Sequence, residues 1–243
     1  LVRQALGLSN IAFSLDAACA TSLYAMKIAI DYLEMGKADI MLAGAVSAAD
    51  PFFINAGFSI FQAYSDQGLS CPLDKRTGGL TAGEGAGMVL LKKYTTAVQD
   101  GDKIYGVIEG IGLSNDGAGK FVLVPSSNGQ VLALNRTYEM SGIKPGDISY
   151  IECHATGTPV GDTAEMQTLD KVFQESPKPP MVGSVKSGVG HLLTAAGMAS
   201  LIKIILSMNK GTIPATINVK EPISSPGNVI KSNNVVTENR PCP

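Results

Sequence analysis

Apolar residues in the first half of the chain come in short runs separated by small and polar ones. Ile11 to Leu15 is apolar, with β-branched and aromatic members, and predicts a short buried strand. Asp16-Ala17-Ala18-Cys19 follows it and leads into apolar residues at helical spacing that stop near Gly36. Cys19 is therefore expected at a strand-to-helix turn. Asp39 to Val46 and Gly87 to Leu91 read as buried strands, and Ile104 to Leu113 as a further strand interrupted by glycines. Beyond Pro125 the pattern alternates plainly. It predicts a helix over Asn128–Ser141, a strand over Ile148–Cys153, a helix over Thr163–Gln174, a strand over Met181–Val185 and a helix over Leu192–Met208. Such alternation implies parallel βαβ units and an α/β fold. Strand, turn and helix recur around Cys19, His154 and His191, just beyond strand ends, where open α/β sheets build their sites.

Composition narrows this to a well-buried chain. Its 243 residues allow one large domain or two halves packed as one, at roughly 150 residues per domain. Hydrophobic residues make up 45% and charged residues 16%, with 27 glycines, which excludes a disordered or coiled chain. The net charge is −2 and the basic residues are scattered singly, so no stripe exists to neutralise a nucleic-acid backbone. Apolar runs such as Met41 to Ala45 and Leu201 to Leu206 fall short of the ~20 residues of a spanning helix, so neither a membrane span nor a signal peptide is expected. Cys19, Cys71, Cys153 and Cys242 form no C-x-x-C pair, which disfavours a disulfide framework and a zinc site and suits a reducing, cytoplasmic compartment. Asn135-Arg136-Thr137 fits a glycosylation sequon, but in a helical stretch. Gly83 to Gly87 precedes a strand instead of a helix, and Gly119-Lys120 lacks the Walker A spacing, so no nucleotide is implied.

The candidate chemistry lies at three turns. A cysteine at a helix start meets unpaired N–H groups and the positive end of the helix dipole, which favour thiolate. The small neighbours Ala17, Ala18, Ala20 and Ser22 leave room for a substrate carbonyl near the Cys19 N–H. Taken alone, Cys19 reads first as a buried core thiol and only second as a nucleophile. The two histidines of the chain lie in turns of Gly, Thr and Ser, His154 to Pro159 and Gly190 to Leu193, and not on apolar helix faces. One cysteine and two histidines at matching positions suggest a Cys-His-His centre.

Four blocks stand in order: Asp16-Ala17-Ala18-Cys19-Ala20-Thr21-Ser22-Leu23; Pro72-Leu73-Asp74 with Gly83-Glu84-Gly85-Ala86-Gly87; Glu152-Cys153-His154-Ala155-Thr156-Gly157-Thr158-Pro159-Val160-Gly161-Asp162; and Ser184-Val185-Lys186-Ser187-Gly188-Val189-Gly190-His191. Together they resemble the signature blocks of β-ketoacyl synthases, in particular ketosynthases of type I polyketide and polyunsaturated fatty-acid synthases. The resemblance implies a thiolase-like αβαβα sandwich. Residues 1–125 would be the end of its N-terminal half and residues 126–243 most of its C-terminal half, the chain looking truncated at both ends. It implies that Cys19 accepts an acyl group from the phosphopantetheine of an acyl carrier protein, and that His154 and His191 act on malonyl-carrier protein in a decarboxylative condensation. Lys186 would support the histidines, and Thr156 and Thr158 would bind the phosphopantetheine arm. Asp162 and Glu165 would orient the loop or cap the next helix, while Asp74, Arg76 and Glu84 would form a loop-stabilising charge set. No tightly bound cofactor or metal is implied. Expected partners are the carrier protein, a second copy and other synthase domains.

Two positions depart from the family pattern. Gly188 stands where asparagine is usual, and Ser200 where the fatty-acid branch has glutamate, which favours the modular branch. Two other readings remain at this point, a coenzyme A-dependent thiolase-fold enzyme and a non-condensing ketosynthase-like chain-length subunit. The first would want a late catalytic cysteine or an asparagine for one histidine, and the second would lack the nucleophile. With the rest of the sandwich missing, the 243-residue chain alone is expected to be inactive or dependent on dimerisation.

Overall fold

A computed structural model describes residues 2–48, 51–66, 68–117 and 124–242; Gly119-Lys120 lies outside them. The helices are α1 (Val2–Ala5), α2 (Thr21–Glu34), α3 (Pro51–Ile60), α4 (Tyr94–Gln99), α5 (Ser127–Ser141), α6 (Pro159–Phe173), α7 (Lys186–Val189) and α8 (Ala196–Lys210). The strands are β1 (Ile40–Ser47), β2 (Gly85–Lys92), β3 (Tyr150–Glu152), β4 (Met181–Gly183), β5 (Thr212–Ile213) and β6 (Arg240–Pro241).

In the first half, β1 and β2 pair antiparallel along their whole length, from Ile40 opposite Lys92 to Ser47 opposite Gly85. One face takes α2 and α8 through Met26, Ala29, Ala43 and Met198. In the second half, β3 and β4 run parallel, with Tyr150 opposite Met181, as the βα alternation requires. Between them α6 turns Met166, Leu169 and Phe173 inward at helical spacing onto Cys153, Val182 and Ile230. Burying a side chain the size of Phe173, which is fully enclosed, contributes about 1.5–3 kcal/mol.

Two predicted strands do not form. Ile11 to Leu15 is irregular, and both Ile11 and Phe13 are exposed. Ile104 to Leu113 also carries no ladder among the described residues, since β1 pairs only with β2 in its sheet. That segment lies instead against α5, close enough that a Cβ on Gly112 would collide with the Ala133 carbonyl. A strand-like sequence needs a partner to express its pattern, and among the described residues neither segment joins a ladder. The predicted C-terminal helix is real but starts later, at Ala196, because a 3-10 turn at Leu193–Ala195 intervenes.

The helices that follow Cys19 and His191 touch at Gly197. A Cβ there would lie 2.6 Å from Ser22 Oγ and 3.0 Å from Leu23 Cγ. Gly197→Val is expected to force α2 and α8 apart and to cost about 1–3 kcal/mol by overpacking, read as a lowered thermal midpoint.

Candidate active site

The turn that carries Cys19 is built from its neighbours. Ala18 sits at φ +50°, in the left-handed region that a residue with a Cβ enters only when its surroundings hold it there. Asp16 Oδ1 accepts the Ala18 N–H at 2.8 Å, and Thr21 Oγ1 accepts the Ala17 N–H at 2.9 Å and donates to the Ala18 carbonyl at 2.7 Å. Thr21 is a supporting residue that its sequence did not single out, since a threonine entering a helix is ordinary. Cys19 lies in the 3-10 turn Ala18–Ala20, immediately before α2.

The histidines come together because β3 and β4 are adjacent and parallel, so their C-terminal exits lie side by side. Beyond β3, the Cys153 N–H still bonds the Gly183 carbonyl at 2.8 Å, and His154 follows. Glu165, nearly two turns into α6, accepts the N–H groups of His154 and Ala155, each at 2.7 Å. Asp162 accepts those of Leu73 at 2.9 Å and Gly157 at 3.1 Å. Both carboxylates tie down the histidine loop and do not cap the helix. Beyond β4, α7 starts at Lys186, and Gly190, at φ +72°, reverses the chain into His191. A Cβ on Gly190 would press on the Thr81 carbonyl at 2.7 Å, so only glycine fits. The stretch from Thr77 to Gly83 braces both turns. The Gly79 N–H bonds the Gly157 carbonyl at 2.8 Å, the His191 N–H bonds Thr81 at 2.7 Å, and the Gly83 N–H bonds the His191 carbonyl at 2.9 Å.

At the centre, Cys19 Sγ lies 3.0 Å from His191 Nε2, and the His154 and His191 rings meet edge to face with centroids 5.2 Å apart. His191 is buried with its Nδ1 unpartnered among the described residues, while His154 faces an opening. Lys186 is 2% exposed. Burial lowers its pKa, and Glu165 and Glu152 pull it back up by charge. Burial and the Lys186 charge push His191 down to about 4, so its ring is neutral at pH 7. The thiol departs from the sequence expectation: burial raises the Cys19 pKa, outweighing Lys186 and its own N–H. Partial burial offsets what a helix start does for a thiolate, and the resting pair is thiol and imidazole.

The other expected residues divide. Thr156 and Thr158 sit with hydroxyls 3.1 Å apart on the His154 loop. Asp74, fully buried, pairs with Arg76 through both carboxylate oxygens, each at 2.9 Å, and accepts the Lys220 and Glu221 N–H groups. Burial pushes Asp74 up, but Arg76 and the amides outweigh it and hold it below the usual carboxylate range. Glu84 does not join that set. It precedes β2, whose Gly85 pairs with Ser47, and is exposed on a separate cleft of about 220 Å³ lined also by Ile54, Asn55 and Leu193. The donor atoms of Cys19, His154 and His191 all lie within 4.8 Å of one another, a set that a zinc ion takes. The Lys186 ammonium beside them favours an anion in that space instead.

Comparison with known proteins bears on this geometry. The model of the β-ketoacyl synthase N-terminal domain matches residues 1–97, and that of the β-ketoacyl synthase C-terminal domain matches residues 105–220. The chain belongs to the β-ketoacyl synthase family. Over 218 residues it is 44% identical to a polyunsaturated fatty acid synthase polypeptide of Thraustochytrium sp., covering 88% of this chain and 10% of that protein. It is 37% identical to a phenolphthiocerol/phthiocerol polyketide synthase polypeptide of Mycobacterium tuberculosis, covering 91% and 15%. Among solved structures it is similar to a PfaC keto synthase-chain length factor, at 52% identity and a TM-score of 0.97, over 100% of this chain and 26% of that one. It is also similar to the ketosynthase from module 6 of the Bacillus subtilis 168 bacillaene synthase, at 34% identity and a TM-score of 0.92, over 99% and 43%. This β-ketoacyl synthase chain thus has the thiolase-like α/β fold and spans about a tenth of the first curated relative and less than half of these structures. No helix among the described residues is long and apolar enough to cross a membrane.

Proposed function

We propose that the chain carries the condensing site of a ketosynthase acting in polyketide or polyunsaturated fatty-acid elongation. The observation that carries this reading is the 3.0 Å contact of Cys19 Sγ with His191 Nε2, with a His154 nitrogen within 4.8 Å of both. In the first step Cys19 attacks the acyl carbonyl of a carrier-protein thioester. Its proton passes to His191 Nε2 and then to the departing phosphopantetheine sulfur, so one thioester replaces another. In the second, malonyl-carrier protein loses carbon dioxide, and the electron pair of the broken C–C bond moves onto the thioester oxygen. N–H groups of His154 and His191 stabilise that enolate. Its carbon attacks the Cys19 thioester, expelling the Cys19 thiolate and leaving a 3-oxoacyl product on the carrier.

Lys186 supplies the positive charge that both anionic stages require. Thr156 and Thr158, on the loop that bears His154, bind the phosphopantetheine arm. The carrier protein supplies that arm, and neighbouring synthase domains and a second copy of the ketosynthase are the other partners. Residues 1–125 serve as the end of the nucleophile-bearing half and 126–243 as the histidine-bearing half. The presence of Cys19 speaks against a chain-length subunit that does not condense, and the paired histidines speak against a coenzyme A thiolase.

The test is acyl transfer from acyl-carrier protein to the chain, both as 243 residues and within a full-length ketosynthase domain, read by intact-protein mass spectrometry. One acyl adduct on the full-length domain, mapped to Cys19, is the expected result. A full-length domain that stays unacylated overturns the proposal.

A further inference from the structure

The site described above does not use the most buried ion pair of the described residues. Glu152, whose side chain is 1% exposed, meets Lys203 of α8 at 2.7 Å. Tyr150 donates its hydroxyl to the same carboxylate oxygen at 2.6 Å and accepts from Lys203 at 2.9 Å. The other oxygen, Oε1, accepts the N–H of Val185 at 2.5 Å. The pair is costly in isolation, because taking two charges out of water is repaid only when every polar atom is satisfied. Here each carboxylate oxygen has a donor, and the donors come from three separate elements.

Those elements are the ones that carry the site. Glu152 ends β3, two residues before His154. Val185 follows β4 and directly precedes Lys186, the start of the turn to His191. Lys203 belongs to the helix that leaves the His191 turn. We propose, resting on the ketosynthase reading, that Glu152 is a positioning residue that locks the β3 and β4 exits together and so holds the Lys186 turn beside Cys19. It touches no reacting atom. Lys203 and Tyr150 hold the carboxylate in place, and a Cβ on Gly183, 2.7 Å from the Tyr150 hydroxyl, would displace that hydroxyl. The titratable groups around Glu152 are Lys203, Tyr150, Lys186, Glu165 and Cys153. Of these, Lys186 is the one that acts on Cys19 by charge, lowering its pKa.

The experiment measures the rate of Cys19 alkylation by iodoacetamide against pH, by peptide mass spectrometry, in a full-length ketosynthase domain and in its Glu152→Gln/Lys203→Met, Glu152→Gln and Lys203→Met variants. The double variant keeps an oxygen for the Val185 N–H and leaves no lone buried cation. It should melt near the wild-type temperature, yet its alkylation profile should move to higher pH and its rate at pH 7 should fall about tenfold, one pKa unit of thiolate fraction. Lys203→Met keeps the Glu152 charge and should leave the profile where it is even if the midpoint of melting falls. An unchanged profile in the double variant overturns the proposal, as does an equal shift in Lys203→Met, which would mark a merely structural pair. If the double variant does not fold, Glu152→Gln below its melting temperature carries the same comparison with the same outcomes. A wild-type Cys19 that iodoacetamide never modifies would count against the ketosynthase reading itself, whereas reactive wild type with indifferent variants removes only this inference.

Discussion

Cys19→Ala is expected to abolish acyl loading in a full-length ketosynthase domain, a loss of roughly 10³-fold or more, while leaving malonyl decarboxylation measurable. The two steps use different parts of the same centre. Loading needs the sulfur, whose proton has a neutral acceptor at 3.0 Å in His191. Decarboxylation needs only donors for the enolate, and His154 and His191 remain in place when a small side chain replaces Cys19, held by Glu165 and by the Thr81 and Gly83 contacts. Loading should also rise with pH. Burial keeps the Cys19 thiol above its ordinary value, so the thiolate fraction grows as pH climbs through that raised pKa, and the rate grows with it. On the acid side the base stays available until His191 titrates near 4. Rapid-quench loading assays from pH 5 to 9 check both limbs, and a rate that peaks in acid would contradict the neutral thiol and imidazole pair.

His191→Ala should damage both steps at once. Loss of one preformed enolate donor costs on the order of 10²–10³ in decarboxylation. Loading should slow by about 10²–10⁴, the span of general base catalysis, because no other base stands at hydrogen-bonding distance from Cys19 Sγ among the described residues. Stability should fall modestly, because the imidazole makes one side-chain hydrogen bond, to Cys19, and its removal leaves a cavity in a buried place. Carbon dioxide release, acyl loading and a thermal melt on the same sample separate these outcomes. A variant with intact decarboxylation would assign the enolate to His154 alone.

Much of the centre was legible in the sequence because it is local. The helix after Cys19, the βα alternation beyond Pro125 and the glycine turn before His191 all follow from apolar spacing and from residues whose backbone freedom is distinctive. The motif blocks then named the family, because the turns that bear the chemistry tolerate few residue types. The misses have equally definite causes. Ile11–Leu15 and Ile104–Leu113 have the composition of strands, but a strand exists only when a neighbour completes its ladder, and composition does not report the neighbour. Glu84 lies next to the same motif as Asp74 in sequence, yet β2 pairing carries it to the cleft beside Ser47.

The turns that hold Cys19, His154 and His191, and the parallel order of the strands before the histidines, follow from the sequence. Tertiary structure alone decided two things. It set the protonation of the centre, since burial around Cys19 overrides the helix start, and that burial comes from segments far apart in the chain. It also chose the partner of Glu152. A glutamate two residues before a histidine has no evident role until β4 and α8 fold against it, because the energy of a buried charge depends wholly on which donors reach it.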